Sequence, residues 1–392
     1  MALEPALIDL TALPELREED VATERKVLPA HVFSSGLIEY EVIKPLKRKL
    51  LELAFRRFWE EGRQSARGTA FDAFREAEAG WLEDYCRFRW LMDHEGGKET
   101  WDLWSINYNT PDKAHAWIEA QSAQKSKHVD RALAYYAWVQ WLAFSQWREL
   151  RQYAEDHDVQ LMGDVPIGIS FYSADVFFEP RWFDLKWSGG APPERVFKDD
   201  AFAIKWGQNW GIPLYRWDVL EKHDFSWWRR RIDKLTDVFH IFRIDHILGF
   251  YRIYGFPWRP QRNAEFLPLT PDQARARTGG PLPGFMPRPD DTPENKAANL
   301  ADGDKYIRAV QEAAGDNAVV GEDLGAVPDY VRPHLRKVGI AGFKICHWEV
   351  ERGPDGMEHP YPPKKYDECS FTTYATHDHP SMAAMWNEFR TM

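Results

Sequence analysis

The chain has 392 residues, of which 44% are hydrophobic, enough to bury one large core or two smaller ones. Its net charge of -11 disfavours nucleic acid as a partner, because an acidic surface repels phosphates. No apolar run approaches the roughly 18 residues of a membrane span, so we expect no membrane partner. The N-terminal sequence lacks the basic and apolar regions of a signal peptide, which predicts a cytoplasmic location.

The cysteines and tryptophans carry little specific information. The three cysteines, Cys86, Cys346 and Cys369, share no C-x-x-C or Cys/His spacing, so neither a disulfide framework nor a zinc site is predicted. The 19 tryptophans have flat faces that suit stacking on sugar rings, but most tryptophans fill cores. We therefore expect only a few of them to contact sugars.

Apolar residues spaced by three and four predict amphipathic helices in the first part of the chain. The helical segments are 40–62, 70–95 and 111–158, the last with a possible break. They predict a helical subdomain over residues 1–157. The third segment carries four tryptophans at near-helical spacing, which we expect in the core: Trp117, Trp138, Trp141 and Trp147.

After residue 158, short apolar runs alternate with turns and helical stretches, which is typical of a parallel α/β sheet. Residues 158–392 are therefore predicted to form part of a (β/α) barrel. A Pro-, Gly- and Asp-rich stretch at about 258–305 predicts a long loop over a site. The five predicted strands are V-Q-L-M-G-D ending at Asp164, F-H-I-F-R-I-D-H around Asp245, A-V-V-G-E-D around Glu322, G-F-K-I-C-H-W-E around Cys346 and F-T-T-Y-A-T-H-D around Asp378.

Four of these five strands end in an acidic residue. Because the carboxyl ends of parallel strands meet at one face, we expect the four acids to converge, although each one alone could be a helix cap or turn residue. Clustered carboxylates without metal-binding histidines fit glycoside chemistry. A magnesium-dependent phosphoryl-transfer site is the competing interpretation, but the glycine-rich or lysine-bearing phosphate cradle that normally accompanies it is not visible in the sequence.

Spacing suggests roles for two of the acids. Arg243 and Asp245 are two residues apart on a strand, so both side chains share a face, and the guanidinium would keep Asp245 ionised as a nucleophile. Glu322 and Asp323 alternate sides, so only one of them faces the site. A glutamate among other acids has its pKa raised, which suits a general acid.

The last predicted strand offers two histidines beside its acid. His377 and His379 flank Asp378 and could hydrogen-bond to sugar hydroxyls. Each of them could equally be an ordinary surface or capping residue.

At these residues the sequence closely resembles glycoside hydrolase family 77, the amylomaltase or disproportionating-enzyme family of 4-α-glucanotransferases, related to the α-amylase clan. The resemblance covers nearly all of the chain. The motifs that carry it are I-D-L from Ile8, G-D-V-P-I from Gly163, S-A-D-V from Ser173, W-G-Q-N-W-G-I-P-L-Y-R-W-D from Trp206, F-R-I-D-H-I-L-G-F from Phe242, G-E-D-L-G from Gly321 and A-T-H-D from Ala375.

The resemblance implies transfer of α-1,4-glucan segments between maltooligosaccharides or glycogen-type glucans, with retention of configuration and no metal or organic cofactor. By motif position it implies that Asp245 is the nucleophile, Glu322 the acid/base and Asp378 a third, supporting acid. It also implies five substrate-contacting residues: Asp164, Arg243, His246, His377 and Trp210.

The sequence departs from the family pattern in two ways. Tyr172 stands where the family usually has Asp and Ile212 where it usually has Asn; these changes touch the substrate loops and leave the acceptor preference open. The family forms an eight-stranded barrel, whereas five strands are predicted here, so we expect an incomplete TIM-type (β/α)8 barrel, truncated at both ends, with an N-terminal helical subdomain. An α-glucan hydrolase of the same clan and an inactive glucan-binding or unstable fragment are the alternatives, and the oligomeric state is left open.

Overall fold

The computed structural model describes residues 1–34, 36–194 and 199–391, which form two compact units. The helical unit comprises Met1–Val159 and Tyr172–Arg181, and the sheet unit comprises Gln160–Phe171 and Trp182–Met392. The division near residue 159 lies close to the boundary predicted from the sequence, but the segment that carries the S-A-D-V motif joins the helical unit.

Among its described residues the helical unit contains six α-helices, and α2 continues as a π-helical turn, Phe58–Gly62. The predicted helix at 70–95 is in fact two helices, because the backbone leaves the helical conformation at Glu78. None of the helices in the described parts of the chain is long and apolar enough to cross a bilayer. The six are α1 Glu18–Lys26, α2 Tyr40–Arg57, α3 Ala66–Ala77, α4 Ala79–His94, α5 Pro111–Glu155, with a kink at Lys125, and α6 Ala174–Phe178.

Aromatic side chains from α2 to α5 fill the core of the helical unit. The Phe58 ring packs edge-to-face on Phe71 with centroids 5.7 Å apart, and lies 5.6 Å from Trp138. Trp138 and Trp141 are both buried. Buried aromatic rings contribute large apolar areas, so the predicted core role of these two tryptophans is confirmed.

The sheet unit contains eleven strands and eight α-helices among its described residues. The strands are β1 Met162–Val165, β2 Phe183–Ala191, β3 Gln208–Tyr215, β4 Ile241–Ile244, β5 Ile253–Phe256, β6 Gly284–Met286, β7 Ala318–Gly321, β8 Ala341–Ile345, β9 Val350–Arg352, β10 Glu358–Pro360 and β11 Ser370–Thr373. The helices are α7 Ala201–Trp206, α8 Trp217–Lys222, α9 Ser226–Thr236, α10 Asn263–Phe266, α11 Pro271–Thr278, α12 Pro293–Ala314, α13 Val331–Lys337 and α14 Met382–Thr391.

Five strands form a parallel sheet in the order β1-β4-β7-β8-β11. These are the five strands predicted from the sequence, and the α/β class with a parallel sheet is confirmed. The strands follow one another in chain order, as in a TIM-type barrel, and not in the reversed order of a doubly wound sheet. Within the described residues, β1 and β11 are the edge strands, so the sheet is not closed.

A second sheet, which the sequence did not predict, has four antiparallel strands in the order β3-β2-β5-β6. The prediction of a long loop at 258–305 is wrong, because this stretch contains α10, α11, β6 and the first part of α12. Some of its prolines resemble loop punctuation but lie at helix starts, where proline lacks only an N–H that would have no partner. Examples are Pro271 and Pro293.

The aromatic core of the helical unit makes a stability prediction. Trp138 is completely buried, whereas Leu150 on the same helix is 46% exposed. Trp138→Ala should lower the free energy of unfolding by about 3–5 kcal/mol through lost burial and a residual cavity. Leu150→Ala is the control and should change it by less than about 0.5 kcal/mol. Urea unfolding followed by circular dichroism measures both, and equal effects would contradict the assigned core.

Candidate active site

An ion-paired arginine joins two of the predicted acids at the end of the parallel sheet. Asp164 on β1 is paired in register with Arg243 on β4, and Asp245 follows β4 directly. Nη1 of Arg243 donates to both carboxylate oxygens of Asp164 at 2.7 and 2.6 Å, and Nη2 lies 2.8 Å from Oδ1 of Asp245. Arg243 is itself buried, with its guanidinium 5.5 Å from the centre of the Phe343 ring on β8. A single fixed cation therefore orients two carboxylates.

The pKa of Asp245 is raised, not lowered as the sequence suggested. Burial is the main cause, and the negative charges of Asp164 and Asp378 add to it. Arg243 opposes this shift through its charge and its hydrogen bond, but does not overcome it. The expected arginine contact is present, but its net effect is to limit the upward shift in pKa.

Glu322 lies beside Asp245 on the neighbouring strand. Ile244 and Gly321 are paired in the parallel ladder, so Asp245 and Glu322 are the next residues of adjacent strands. The hydrogen bonds between the two strands extend beyond the Ile244–Gly321 pair, because the N–H of Glu322 donates to the carbonyl of Ile244 at 2.9 Å. Adjacent strands are about 4.8 Å apart, which brings the two acids together.

Two backbone amides hold the carboxylate of Glu322. The N–H of His246 donates to Oε2 and the N–H of Leu324 donates to Oε1, both at 2.8 Å. Burial raises the pKa of Glu322 most, the two amide hydrogen bonds lower it, and the charge of Asp245 raises it further. The net shift is upward, in the direction that the sequence predicted.

The turn after β4 provides one of these amides. His246 adopts a left-handed conformation, φ 47° and ψ 54°, which is unusual for a residue other than glycine. The following turn packs Ile247 against β7, where a Cβ on Gly321 would lie 2.7 Å from Cδ1 of Ile247. The glycine of the G-E-D-L-G motif thus leaves room for the turn that directs the His246 amide at Glu322.

An exposed tryptophan borders this turn. Trp210, 39% exposed, packs edge-to-face on the imidazole of His246 with ring centres 4.9 Å apart. Burial and the charge of Arg252 lower the pKa of His246 to about 4. His246 is therefore neutral at pH 7 and can both donate and accept hydrogen bonds.

Asp378 lies in the loop after β11, not at the end of the strand. Its side chain is 65% exposed, and that of His377 is 63% exposed. Nε2 of His377 is 3.5 Å from Oδ1 of Asp378 and 3.7 Å from Oδ2 of Asp164. His377 thus lies between the loop after β11 and the acid on β1. The structure brings together the eight residues to which the family resemblance assigns a role.

Two features of the site escaped the sequence interpretation. The hydrogen bonds from the backbone amides of His246 and Leu324 to Glu322 do not depend on side-chain type, so no residue pattern in the sequence predicts them. Trp348 follows β8 and is 54% exposed, with its ring 4.4 Å from that of His379. Its position near the end of a predicted strand was the available signal.

The two departures from the family pattern lie in different units. Tyr172 belongs to the helical unit, where its hydroxyl donates to Asp102 at 3.4 Å. Ile212 lies on β3 in the sheet unit, and a Cβ on Gly168 would be 2.3 Å from its Cδ1. The isoleucine thus fills the space beside Gly168.

The fold and the carboxylate cluster define a class of α/β proteins whose acidic residues lie at the carboxyl ends of a parallel sheet, and comparison with known families identifies the family. The family model for glycoside hydrolase family 77, described as 4-alpha-glucanotransferase, matches residues 1–391, so the chain belongs to this family. Curated relatives include the 4-alpha-glucanotransferases of Thermus thermophilus, 33% identical over 92% of this chain, and Chlamydia pneumoniae, 28% identical over 98%. The chain spans 63% and 64% of the length of these two relatives.

Two solved structures share the fold. One is the amylomaltase of Streptococcus agalactiae in complex with acarbose, with a TM-score of 0.69 over 97% of this chain and 68% of that one. The other is the amylomaltase of Corynebacterium glutamicum, with a TM-score of 0.65 over 100% of this chain and 49% of that one. Both are 23% identical in sequence, so this likeness shows the fold.

The raised pKa of Asp245 predicts how the site affects stability. The folded protein holds this proton to a higher pH than the unfolded chain, whose aspartate pKa is about 3.9, so ionisation at neutral pH weakens the fold. Asp245→Asn imitates the protonated form and should melt at a higher temperature than the wild type at pH 7. The difference should shrink as the pH falls towards about 4 and be absent below it, where Asp245 is protonated in both the folded and the unfolded chain.

Calorimetry from pH 3 to pH 8 measures this effect. The control is Asp233→Asn, which removes an exposed carboxylate of α9 and should leave the melting temperature nearly unchanged. A lower melting temperature of Asp245→Asn at pH 7 would contradict the prediction.

Proposed function

We propose that this chain is the catalytic part of a 4-α-glucanotransferase, which moves α-1,4-glucan segments by a retaining double displacement. The observation that carries the proposal is the pairing of Ile244 with Gly321, which makes Asp245 and Glu322 neighbours on adjacent strands. Retaining enzymes need two carboxyl groups about 5–5.5 Å apart, close to the spacing of adjacent strands. Membership of the family supports the same reaction.

In the first step, the carboxylate of Asp245 attacks the anomeric carbon of the donor glucan. Glu322 gives its proton to the departing glycosidic oxygen, so a glycosyl ester forms on Asp245 and the shortened glucan leaves. The raised pKa of Glu322 suits an acid that must hold a proton near neutral pH. The hydrogen bond from Arg243 orients Asp245 and limits the rise in its pKa.

In the second step, Glu322 removes the proton from the 4-hydroxyl of an acceptor sugar. That oxygen attacks the ester, the bond to Asp245 breaks, and Asp245 returns as a carboxylate. The net result exchanges one α-1,4 bond for another, with retention at the anomeric carbon. No redox or metal chemistry enters this balance.

The remaining site residues are proposed to bind sugar hydroxyls. Asp378, Asp164 and His377 form a polar chain of acceptors and donors beside the nucleophile. Trp210 offers an aromatic surface next to the neutral imidazole of His246. A maltooligosaccharide or a glycogen-type glucan is the proposed substrate.

Hydrolysis is the second candidate function, and one observation favours it. Asp378 and His377 are both more than half exposed, so water can reach the ester that would form on Asp245. If water outcompetes the acceptor sugar, the same acids act as an α-glucan hydrolase.

The partners and location predicted from the sequence complete the proposal. A net charge of -11 argues against a nucleic-acid partner. A cytoplasmic location and the lack of a membrane partner stay predictions.

Maltotriose distinguishes the candidate functions. The transferase should convert two molecules of maltotriose into glucose and maltopentaose, with no net gain in reducing ends. A gain in reducing ends without longer products would identify a hydrolase. A cooperatively folded chain that gives neither product would identify an inactive glucan-binding fragment and contradict the proposal.

The roles of the two central acids can be separated with a donor that needs no acid assistance. Glu322→Gln should lower turnover of maltotriose by about 10² to 10⁴-fold or more, but should still release fluoride from α-maltosyl fluoride, because fluoride leaves without a proton. Asp245→Asn should lose both activities, because no ester can form.

The matched control is Asp323→Asn. Asp323 is buried on the other side of the strand, where Arg332 and the amide of Phe343 hold it. This variant, checked for folding by circular dichroism, should retain turnover. Equal losses on both donors for Glu322→Gln would contradict the assignment of the acid.

A further inference from the structure

A chain of three hydrogen-bonded side chains joins the turn after β4 to α12 and α13, and the proposed reaction does not use it. The hydroxyl of Tyr251, at the end of the turn, is 2.8 Å from Nδ1 of His334 on α13. Nε2 of His334 is 2.8 Å from Oδ1 of Asp304 on α12. Tyr251 and His334 are both buried, at 1% and 7% exposure. We call these three residues the Tyr-His-Asp chain.

The direction of the two hydrogen bonds follows from the charge of Asp304. Its Oδ2 accepts a hydrogen bond from Nε of Arg308 at 2.7 Å, and this bond lowers the pKa of Asp304. An ionised carboxylate can only accept, so the proton between Asp304 and His334 belongs to Nε2. In the neutral imidazole Nδ1 is then the acceptor, and the hydroxyl of Tyr251 donates to it. Each member of the chain therefore has one fixed partner.

A hydroxyl, an imidazole and a carboxylate in sequence also make up a nucleophilic triad, but here no substrate can reach the hydroxyl. The backbone of α12 lies against the ring of Tyr251, because a Cβ on Gly303 would be only 2.3 Å from Cδ1 of Tyr251. The ring of Tyr330 packs edge-to-face at 6.0 Å. The Tyr-His-Asp chain therefore fixes a position and does not take part in a reaction.

Backbone hydrogen bonds connect Tyr251 to the catalytic acid proposed above. The N–H of Tyr251 donates to the carbonyl of Leu248 at 3.0 Å, and the N–H of Gly249 donates to the carbonyl of His246 at 2.9 Å. The N–H of His246 in turn donates to Oε2 of Glu322 at 2.8 Å. Tyr251 and His246 are thus the two ends of one hydrogen-bonded turn, and the second end holds Glu322.

The conformation of His246 makes this turn dependent on its anchor. A residue other than glycine in the left-handed region persists only where the surrounding structure holds it there. If Tyr251 loses its partner, the turn can relax and the amide of His246 can move away from Glu322. That amide lowers the pKa of Glu322, so its loss would raise this pKa.

We propose that the Tyr-His-Asp chain positions the carboxyl group of Glu322 by fixing the turn that carries the amide of His246. Its members are positioning residues, because they act through the turn and do not touch the glucan. The effect on turnover rests on the proposed function, whereas the effect on the Glu322 carboxyl group does not. Loss of the chain should therefore change the rate and its pH dependence, and leave substrate binding unchanged.

The variant Tyr251→Phe tests this, because it removes the hydroxyl and keeps the packed ring. The pKa of Glu322 should rise by about 0.5 to 1, the size expected for one lost hydrogen bond. Carbon-13 NMR of the whole chain, labelled in its glutamate carboxyl groups, measures this pKa, and Glu322→Gln assigns the signal.

Kinetics provide a second measurement on the same variant. With maltotriose, kcat of Tyr251→Phe should fall about threefold to tenfold while KM stays unchanged. The alkaline limb of the kcat/KM profile should move to higher pH with the pKa of Glu322, because Glu322 must be protonated to act as the acid.

Two substitutions of Asp304 keep the test decisive if Tyr251→Phe does not fold. The side chain of Asp304 is 33% exposed, so both variants should fold. Asp304→Asn keeps an oxygen that can accept from His334 and should leave the pKa of Glu322 near its wild-type value. Asp304→Leu removes the acceptor that fixes the imidazole proton, and should raise the pKa of Glu322 as Tyr251→Phe does.

The matched control is Tyr108→Phe in the helical unit. Tyr108 is also buried, and its hydroxyl also donates to a carboxylate, that of Glu95 at 2.7 Å. This variant loses a comparable hydrogen bond and should leave the pKa of Glu322 unchanged. An equal rise in Tyr108→Phe would indicate general loosening of the protein and overturn the proposal. So would an unchanged pKa of Glu322 in folded Tyr251→Phe or Asp304→Leu.

The outcomes separate the two proposals. If the wild type does not turn over maltotriose but Tyr251→Phe raises the pKa of Glu322, the positioning role stands and the proposed function fails. If the wild type turns over maltotriose normally and the pKa of Glu322 is the same in both proteins, the positioning role fails and the proposed function stands.

Discussion

The pairing of Arg243 with Asp164 and Asp245 is the interaction on which the geometry of the candidate active site depends. A buried cation must be compensated by charge, and two carboxylates on either side of it satisfy that requirement. Because Asp164 and Arg243 lie on paired strands, the ion pairs also hold the ends of β1 and β4 in register. The contact between Arg243 and Asp164 thus compensates a buried charge and aligns β1 with β4 at the same time.

Glu322 is held by different means. Its carboxylate accepts backbone hydrogen bonds, so its position depends on the left-handed turn at His246 and on the absence of a side chain at Gly321. Asp245 is therefore oriented by a charged side chain and Glu322 by amides. This difference in surroundings suits two acids that would differ in protonation during the proposed reaction cycle.

The two units use aromatic residues for different purposes. In the helical unit, Trp138 and Trp141 provide buried apolar area, and Tyr135 and Trp90 border a cavity. In the sheet unit, Trp210 is exposed beside the acids. The tryptophans thus include both buried residues and exposed ones, and only burial in the tertiary structure separates the two groups.

The sequence by itself determined the helical first part, the five parallel strands and the acids at or beyond their ends, because periodicity and strand-end position follow from local chemistry. It missed the antiparallel sheet and predicted a loop at 258–305, because prolines at helix starts resemble turn signals. Only the tertiary structure decided the net pKa shift of Asp245, where burial outweighs Arg243, and the amide contacts of Glu322. Burial and backbone direction arise from residues far apart in the chain, so no local pattern encodes them.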